Sequence, residues 1–346
     1  MIKKEIGVLL LFFNKTETTE IVLQRILEGK PGTLLLAQDG ARINNGFDMI
    51  NVPACRDKVE KLVSQIDWEC SVHRNYAKAN MSCDPREYSA ITWAFEIVDK
   101  LIIIEDDCLC SHSFFNFMEE MLFRYQNDER ICMVSGTERF GRNPFCKESY
   151  YFTQASCGCG WGTWKRVWSD VERIARDYSY VLDDHFSENL EEYVNNTCLK
   201  VYRNYVNTSR YKREANIKAG KMLSWEFAVS TSMILESRLA INPRINLVKN
   251  IGVVPGATHS GNDIRTIPKR NRMIFELEIH ELDFPLVHPE YMVRDMKYED
   301  IFDKKFAPSR WHKFHDDLER FLLLIRYGHI KDIFMGFRRR VERIGK

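Results

Sequence analysis

An excess of either charge, internal repeats and low-complexity tracts are all missing from this chain. Fifty Lys and Arg stand against 49 Asp and Glu, a net charge of +1, so no global field draws the protein to nucleic acid and any polyanion contact must be local. The apolar opening, 6–13, is too short to span a bilayer and lacks a small-residue cleavage site. A first buried strand and a cytoplasmic protein are expected from it. The ten cysteines, all between Cys55 and Cys198, are then expected to be reduced thiols. Cysteines at the usual spacing of a structural zinc site are also lacking: Cys108/Cys110 and Cys157/Cys159 are separated by a single residue, which favours packing over metal. With no Walker-type phosphate loop, a bound diphosphate would need a metal rather than a nest of backbone amides. Disorder is excluded by 45% apolar residues against 29% charged, and 346 residues suffice to enclose a site.

What is present is alternation. Over the first 135 residues short apolar runs alternate with amphipathic stretches, the pattern of strands joined by crossover helices. The expected class is α/β, a mostly parallel sheet flanked by helices. Strands are expected at 8–13, 33–37, 68–73, 101–104 and 131–135, and helices from Thr16 or Thr18 to 27, over 55–66, 85–98 and 113–125. From 139 to 221 the chain turns aromatic, Gly-rich and charged, and this part is expected to shape an acceptor pocket. A helix near Leu223, a strand over 238–241 and a loop over 250–262 follow. The expected organisation is a catalytic domain over 1–290, with a nucleotide-binding half 1–138 and an acceptor half 139–290, then a peripheral, helical and basic extension over 291–346.

Ile102-Ile103-Ile104 runs directly into Glu105-Asp106-Asp107, which puts three carboxylates where a buried strand emerges. Open α/β sheets bind ligands at the carboxyl ends of their strands. Such crowding repels itself unless a cation is present, and oxygen ligands favour a hard ion, Mn²⁺ or Mg²⁺. That ion would bridge diphosphate oxygens and neutralise a leaving group. A solvated acidic turn is the plain alternative, and the position of the acids at the end of an apolar strand argues against it.

Phe12-Phe13-Asn14, Gln38-Asp39-Gly40-Ala41-Arg42, the acidic triplet and Trp161-Gly162-Thr163-Trp164-Lys165-Arg166 occur in that order. Together they resemble a bacterial nucleotide-diphospho-sugar transferase of the A-type glycosyltransferase fold, similar to the N-acetylglucosaminyltransferase I group, over about residues 5–290. The resemblance implies inverting, metal-dependent transfer of a sugar from a nucleotide-diphosphate donor, a UDP-sugar, to a hydroxyl of a glycan or lipid-linked glycan. It implies that Asp39 contacts the nucleoside base and Arg74 the nucleotide, that Asp107 ligates the metal, and that Glu105 and Asp106 approach the ribose and donor sugar. Ala41 stands where the family has proline, which removes a source of stiffness from that loop.

An inverting transfer needs a base for the acceptor hydroxyl, and Glu226, beside Trp225 at the start of the helix after the variable region, is that candidate, with Asp183-Asp184 in competition. A first-turn acid favoured by the helix dipole is its structural reading. His259, in Ala257-Thr258-His259-Ser260, matches a late family segment and is a second candidate for the metal. Trp161, Trp164 and Trp225 could stack on sugar rings or simply fill the core. The carboxy-terminal stretch, from Phe321, Leu322, Leu324 and Ile325 to Arg338-Arg339-Arg340, suits either a helix packed on the catalytic domain or peripheral contact with the inner face of a membrane. Two other readings share the strand-and-acid logic: an inactive sugar-nucleotide or glycan-binding module, and a sugar-1-phosphate nucleotidyltransferase. The latter normally has a Gly-rich, basic loop after the first strand, where this chain has Asn14-Lys15-Thr16.

Overall fold

The computed structural model describes residues 1–176, 184–200, 224–253, 263–307 and 309–329. Its first half alternates strand and helix: β1 (Ile2–Phe12), α1 (Thr16–Glu28), β2 (Pro31–Gln38), α2 (Gly46–Val63), β3 (Ser71–Tyr76), α3 (Cys83–Ala94), β4 (Lys100–Glu105), β5 (Cys108–Cys110), α4 (His112–Arg124) and β6 (Ile131–Ser135). Leu9, Leu10, Leu34, Leu35, Ile102 and Ile104 are all buried, because helices cover both faces of the central strands. Hence those strands are continuous apolar runs rather than alternating ones. β3, β2, β1 and β4 are mutually parallel, with Leu9 paired to Leu35 on one side and Ile103 on the other.

The second half contributes β7 (Tyr150–Thr153), β8 (Trp161–Trp164), α5 (Lys165–Arg176), α6 (Asp184–Thr197), α7 (Trp225–Leu235), β9 (Leu239–Pro243), β10 (Val248–Asn250), α8 (Met296–Phe306) and α9 (Arg310–Arg326). The main sheet has eight strands in the order β3-β2-β1-β4-β8-β6-β9-β7, and β5 pairs with β10 in a separate ribbon. The sheet is mixed: most of its strands run in one direction, as expected, but β8 and β7 run against the rest. β8 inserts antiparallel between β4 and β6, and β7 runs antiparallel to β9 at the edge. No helix lies between β6 and β8, so no crossover forces that pair parallel. Gly162 permits the insertion, since a Cβ there would stand 3.3 Å from the Leu101 carbonyl.

Two polar anchors fix the layers. Arg166 donates to the carbonyls of Tyr125, Gln126, Asp128 and Ile131, satisfying acceptors from the end of α4 through the following loop to the start of β6. Trp164 Nε1 donates to Leu122 O at 2.9 Å, which ties β8 to the same helix. α8 is not peripheral, contrary to the reading of the chain beyond Pro289. Tyr298, Glu299 and Phe302 are buried, and Glu299 Oε1 accepts from Thr153 Oγ1 and the Gln154 N–H on the edge of the sheet.

Candidate active site

The site forms where β1, β2 and β4 end together. Phe12 pairs with Gln38 and Leu11 with Glu105, so the loops after these three strands meet at one edge. Gln38 is the knot: its Nε2 donates to Phe13 O and Val52 O at 2.8 Å each, and its Oε1 accepts from Arg56. Asn14 and Arg42 both bind the buried Asp48, at 2.7 Å and 2.5 Å, and the Arg42 guanidinium holds the Asp48 carboxyl below its usual range. That ion pair ties the loop after β2 to the first turn of α2. Gly40 passes so close to Ala79 that a Cβ would overlap its backbone.

Asp39 is buried on this edge, where Oδ1 accepts from the Gly40 and Met81 N–H groups at 2.8 and 2.9 Å and Oδ2 from Asn80 Nδ2 at 2.8 Å. It clamps the loop after β3 onto β2, and burial raises its carboxyl above the ordinary value despite those bonds. Arg74 lies on the outer strand β3, paired to Glu60 by Nε at 2.8 Å and Nη2 at 2.8 Å, with Tyr76 donating to the same carboxylate.

Asp106 and Asp107 converge on one cation. Lys15 Nζ lies 2.9 Å from Asp107 Oδ2 and 3.5 Å from Asp106 Oδ1. Burial alone would lower the Lys15 pKa, but Asp106 and Asp107 together raise it. Asp107 Oδ1 also accepts from Asn250 Nδ2 at 3.2 Å, and its carbonyl accepts the Ile251 N–H at 2.8 Å. Gly252 packs directly against this carboxylate, leaving no room for a side chain. Asp106 Oδ2 accepts the Phe13 N–H at 3.1 Å; burial pushes its carboxyl up to about 6, opposed by Lys15 and reinforced by Asp107. The Glu105 carboxylate makes no side-chain hydrogen bond among the described residues. Burial first, and then Glu87, Asp107, Asp106 and Glu226, raise it well above the usual carboxylate range.

Glu87 was not foreseen. It lies in the second turn of α3, where Trp225 Nε1 donates to its Oε2 at 2.6 Å and the Cys83 thiol to its Oε1 at 2.8 Å. Burial pushes it up to about 7, with Glu226 and Asp84 adding repulsion. Asp84, one turn earlier, accepts from Ser224 Oγ and the Trp225 N–H, and so caps α7 from outside. α3 thereby sets Glu226, which is exposed in the first turn of α7 and repels both Glu87 and Glu105. Sequence spacing gave one signal for Glu87: an acid following Cys83-Asp84 at a helix start. Its partner on α7 is 138 residues away, beyond the reach of any local pattern.

The tryptophans hold this geometry. Trp161 and Trp225 stack with centroids 5.6 Å apart and planes within 2°, and both are buried, as is Trp164. His259 and Asp183 lie outside the described residues, as do Arg338, Arg339 and Arg340. All ten cysteines are free thiols; Cys108 and Cys159 touch at 2.7 Å beneath Asp107.

The donor set fits a hard divalent cation, since two carboxylates already share a positive charge, the Lys15 ammonium. Asp107 and Asp106 would hold such an ion. A second grouping, His315, Asp316 and Glu319 on α9, has a different use: Asp316 is ion-paired with Arg270, and Glu319 accepts the Lys269 N–H.

In class this is an α/β protein with a cluster of carboxylates at the carboxyl edge of a mixed sheet. No family model and no curated protein matches the chain. Solved structures similar to it include UTP-bound UGPase from Acinetobacter baumannii, 10% identical over 72% of this chain and 88% of that one, with a TM-score of 0.36. A UDP-glucose pyrophosphorylase complexed with UDP-glucose is 10% identical over 71% and 92%, with a TM-score of 0.34. HddC from Yersinia pseudotuberculosis is 10% identical over 39% of this chain, which spans 57% of that protein's length, with a TM-score of 0.24. At such scores the likeness carries no argument about activity, which rests on the site itself.

Proposed function

We propose that the protein is a metal-dependent transferase acting on a sugar nucleotide, and that it transfers the sugar to a hydroxyl of a glycan acceptor. The observation that supports this reading is the convergence of Asp106 and Asp107 on a single cation where β4 leaves the core, with Glu105 beside them and Glu226 facing them from α7. Mn²⁺ or Mg²⁺ bound there would neutralise charge on a leaving nucleoside diphosphate.

Within this reading Asp107 and Asp106 would hold the ion, which would supply positive charge for the diphosphate of the donor, and Lys15 adds a positive charge beside the same leaving group. Asp39, with Gly40, shapes the base-binding loop, and Arg74 lies on the outer strand of the same edge. Glu226 takes the proton of the acceptor hydroxyl as its oxygen bonds to the anomeric carbon, while the anomeric C–O bond breaks and its electron pair leaves with the diphosphate. The stacked Trp161 and Trp225 hold α7, and hence Glu226, opposite the acids; Trp164 fixes the strand beneath them. His259 is retained as a proposed second ligand.

One observation favours a second reading, a nucleotidyltransferase joining a nucleotide to a sugar 1-phosphate: Lys15, in the loop after β1, sits on the acids, where a basic residue would meet a departing pyrophosphate. Mass spectrometry of products separates the two. Incubation with Mn²⁺ and a panel of sugar nucleotides should release nucleoside diphosphate and yield a glycosylated acceptor or free sugar. Pyrophosphate released only from nucleoside triphosphate with a sugar 1-phosphate would overturn glycosyl transfer in favour of the second reading. Saturable binding without turnover in either mixture would make the chain a binding module.

A further inference from the structure

Helix α9 carries an apolar face that stays exposed among the described residues. Trp311, Phe314, Leu318, Phe321, Leu322 and Ile325 recur at three- and four-residue steps, one stripe of the helix, and all are exposed, Trp311 to 71% and Phe314 to 60%. The opposite side is the docked one. There Arg270 ion-pairs with Asp316, Glu319 accepts the Lys269 N–H, and His312 Nδ1 meets Ala307 O at 2.9 Å. The helix is therefore held to the body by its polar side and shows its apolar side outward, the reverse of a helix packed on a core.

The charge around the stripe identifies its occupant. Arg310, Lys313, Arg320 and Arg326 are exposed along the helix, against a single exposed acid, Asp317. A stripe of Trp, Phe, Leu and Ile with flanking long cationic side chains suits the boundary between acyl chains and headgroups, where apolar area is buried and the cations reach anionic phosphates. A shallow cavity of about 400 Å³ opens along the same helix, lined by His315, Leu318, Glu319, Leu322, Leu323 and Arg326. It sets an arginine beside an apolar slot. A second copy of the chain fits less well, because an isologous pairing would bring like cations together. No helix among the described residues is long and apolar enough to cross a membrane.

We propose that the exposed face of α9 is a docking surface for a bilayer rich in anionic lipid, on which the helix lies in the interface plane. This stands apart from the reaction assigned to the site and survives its failure. It also moves the contact upstream of the stretch that the sequence alone indicated, to Trp311, Phe314 and Leu318, with Leu324 turned partly inward.

The test is co-sedimentation of the full chain with phosphatidylcholine vesicles, with and without phosphatidylglycerol, at low and high salt. The wild type is expected to sediment with the anionic vesicles at low salt and to be released as salt rises. Phe314→Gln/Leu318→Gln in the full chain should lower the partition coefficient about tenfold or more, since two apolar side chains no longer enter the interface. Because both side chains are exposed, the thermal melts should coincide. A second full-chain variant, Arg310→Gln/Arg320→Gln, keeps the stripe and should blunt the salt dependence. Equal partitioning of the wild type and the apolar variant, or none by the wild type, would overturn the proposal. A wild-type dimer in light scattering that the apolar variant dissolves would overturn it in favour of self-association.

Discussion

Asp107 and Glu226 have different jobs in the proposed reaction, and their substitutions should separate. Asp107→Asn keeps volume and leaves Lys15 paired with Asp106, so the fold should hold. Its loss of charge removes one of the two carboxylates that share the cation. Metal-dependent turnover is expected to fall at least about a hundredfold, the scale on which an ion stabilises a leaving group. A steady-state assay at matched, saturating Mn²⁺, with circular dichroism as a fold control, checks this; unchanged kcat would refute the metal assignment. Glu226→Gln should instead leave the donor KM near its original value and reduce kcat by roughly a hundredfold, as for loss of a general base. If KM rose while kcat held, Glu226 would be a binding residue.

At the scale of elements, the parts of the fold that were legible are those whose burial is written locally. The strand expected at 131–135 is β6, Ile131–Ser135, and the central strands stand out because helices on both faces require unbroken apolar runs. The four-residue strands β7 and β8 were not legible, because their pairing is set by neighbours far along the chain and Gly162 reads locally as a turn. α2 begins at Gly46, well before the expected 55, because Asn45 caps it and the buried Asp48, an unlikely core residue by type, is neutralised by Arg42. α8 reads as a polar helix, and only the tertiary structure brings Tyr298 and Phe302 inward. The position of the acidic triplet at the end of a buried strand was legible, because it is written in consecutive residues; the burial of Glu87 was not, since α7 creates its environment. The same α3–α7 junction yields a prediction. Asp84→Ala removes the carboxylate that caps α7, at a cost of about 1 kcal/mol of stability, and frees the turn carrying Glu226. Urea denaturation should register that loss, and kcat should fall while the donor KM holds; Asp84→Asn, which keeps an acceptor oxygen, should restore most of both. A fall in stability alone would confine Asp84 to a structural role.

The whole molecule carries carboxyl groups displaced in both directions, and their balance sets its pH dependence. Asp48, Glu60 and Asp128 are lowered mainly by their arginine partners, so their contribution is lost as pH falls below the ordinary carboxylate range. Glu87, Asp106 and Glu138 are raised, so theirs is complete at low pH and is lost as pH rises. Glu138 is the cleanest probe because it lies away from the acidic site, under α8. Its Oε2 accepts the Phe140 N–H at 2.9 Å, while Oε1, buried beside the Tyr298 hydroxyl, has no well-formed hydrogen bond. Burial pushes it up to about 7, with partial relief from Tyr298. The unfolded chain ionises this group near 4.5, so the neutral form stabilises the fold fully below that pH. The contribution then fades as pH rises to about 7, by on the order of 3 kcal/mol in all. Stability in the presence of a chelator should therefore be highest on the acid side of neutrality and decline toward pH ~8. Glu138→Gln keeps the acceptor for Phe140 and cannot ionise. The variant should be more stable than the wild type at pH ~8, by up to that amount, and no more stable at pH ~4.5, with a shallower slope between, as measured by urea denaturation across the range. Parallel stability–pH curves for the two proteins would show that Glu138 ionises as readily in the folded chain as in the unfolded one.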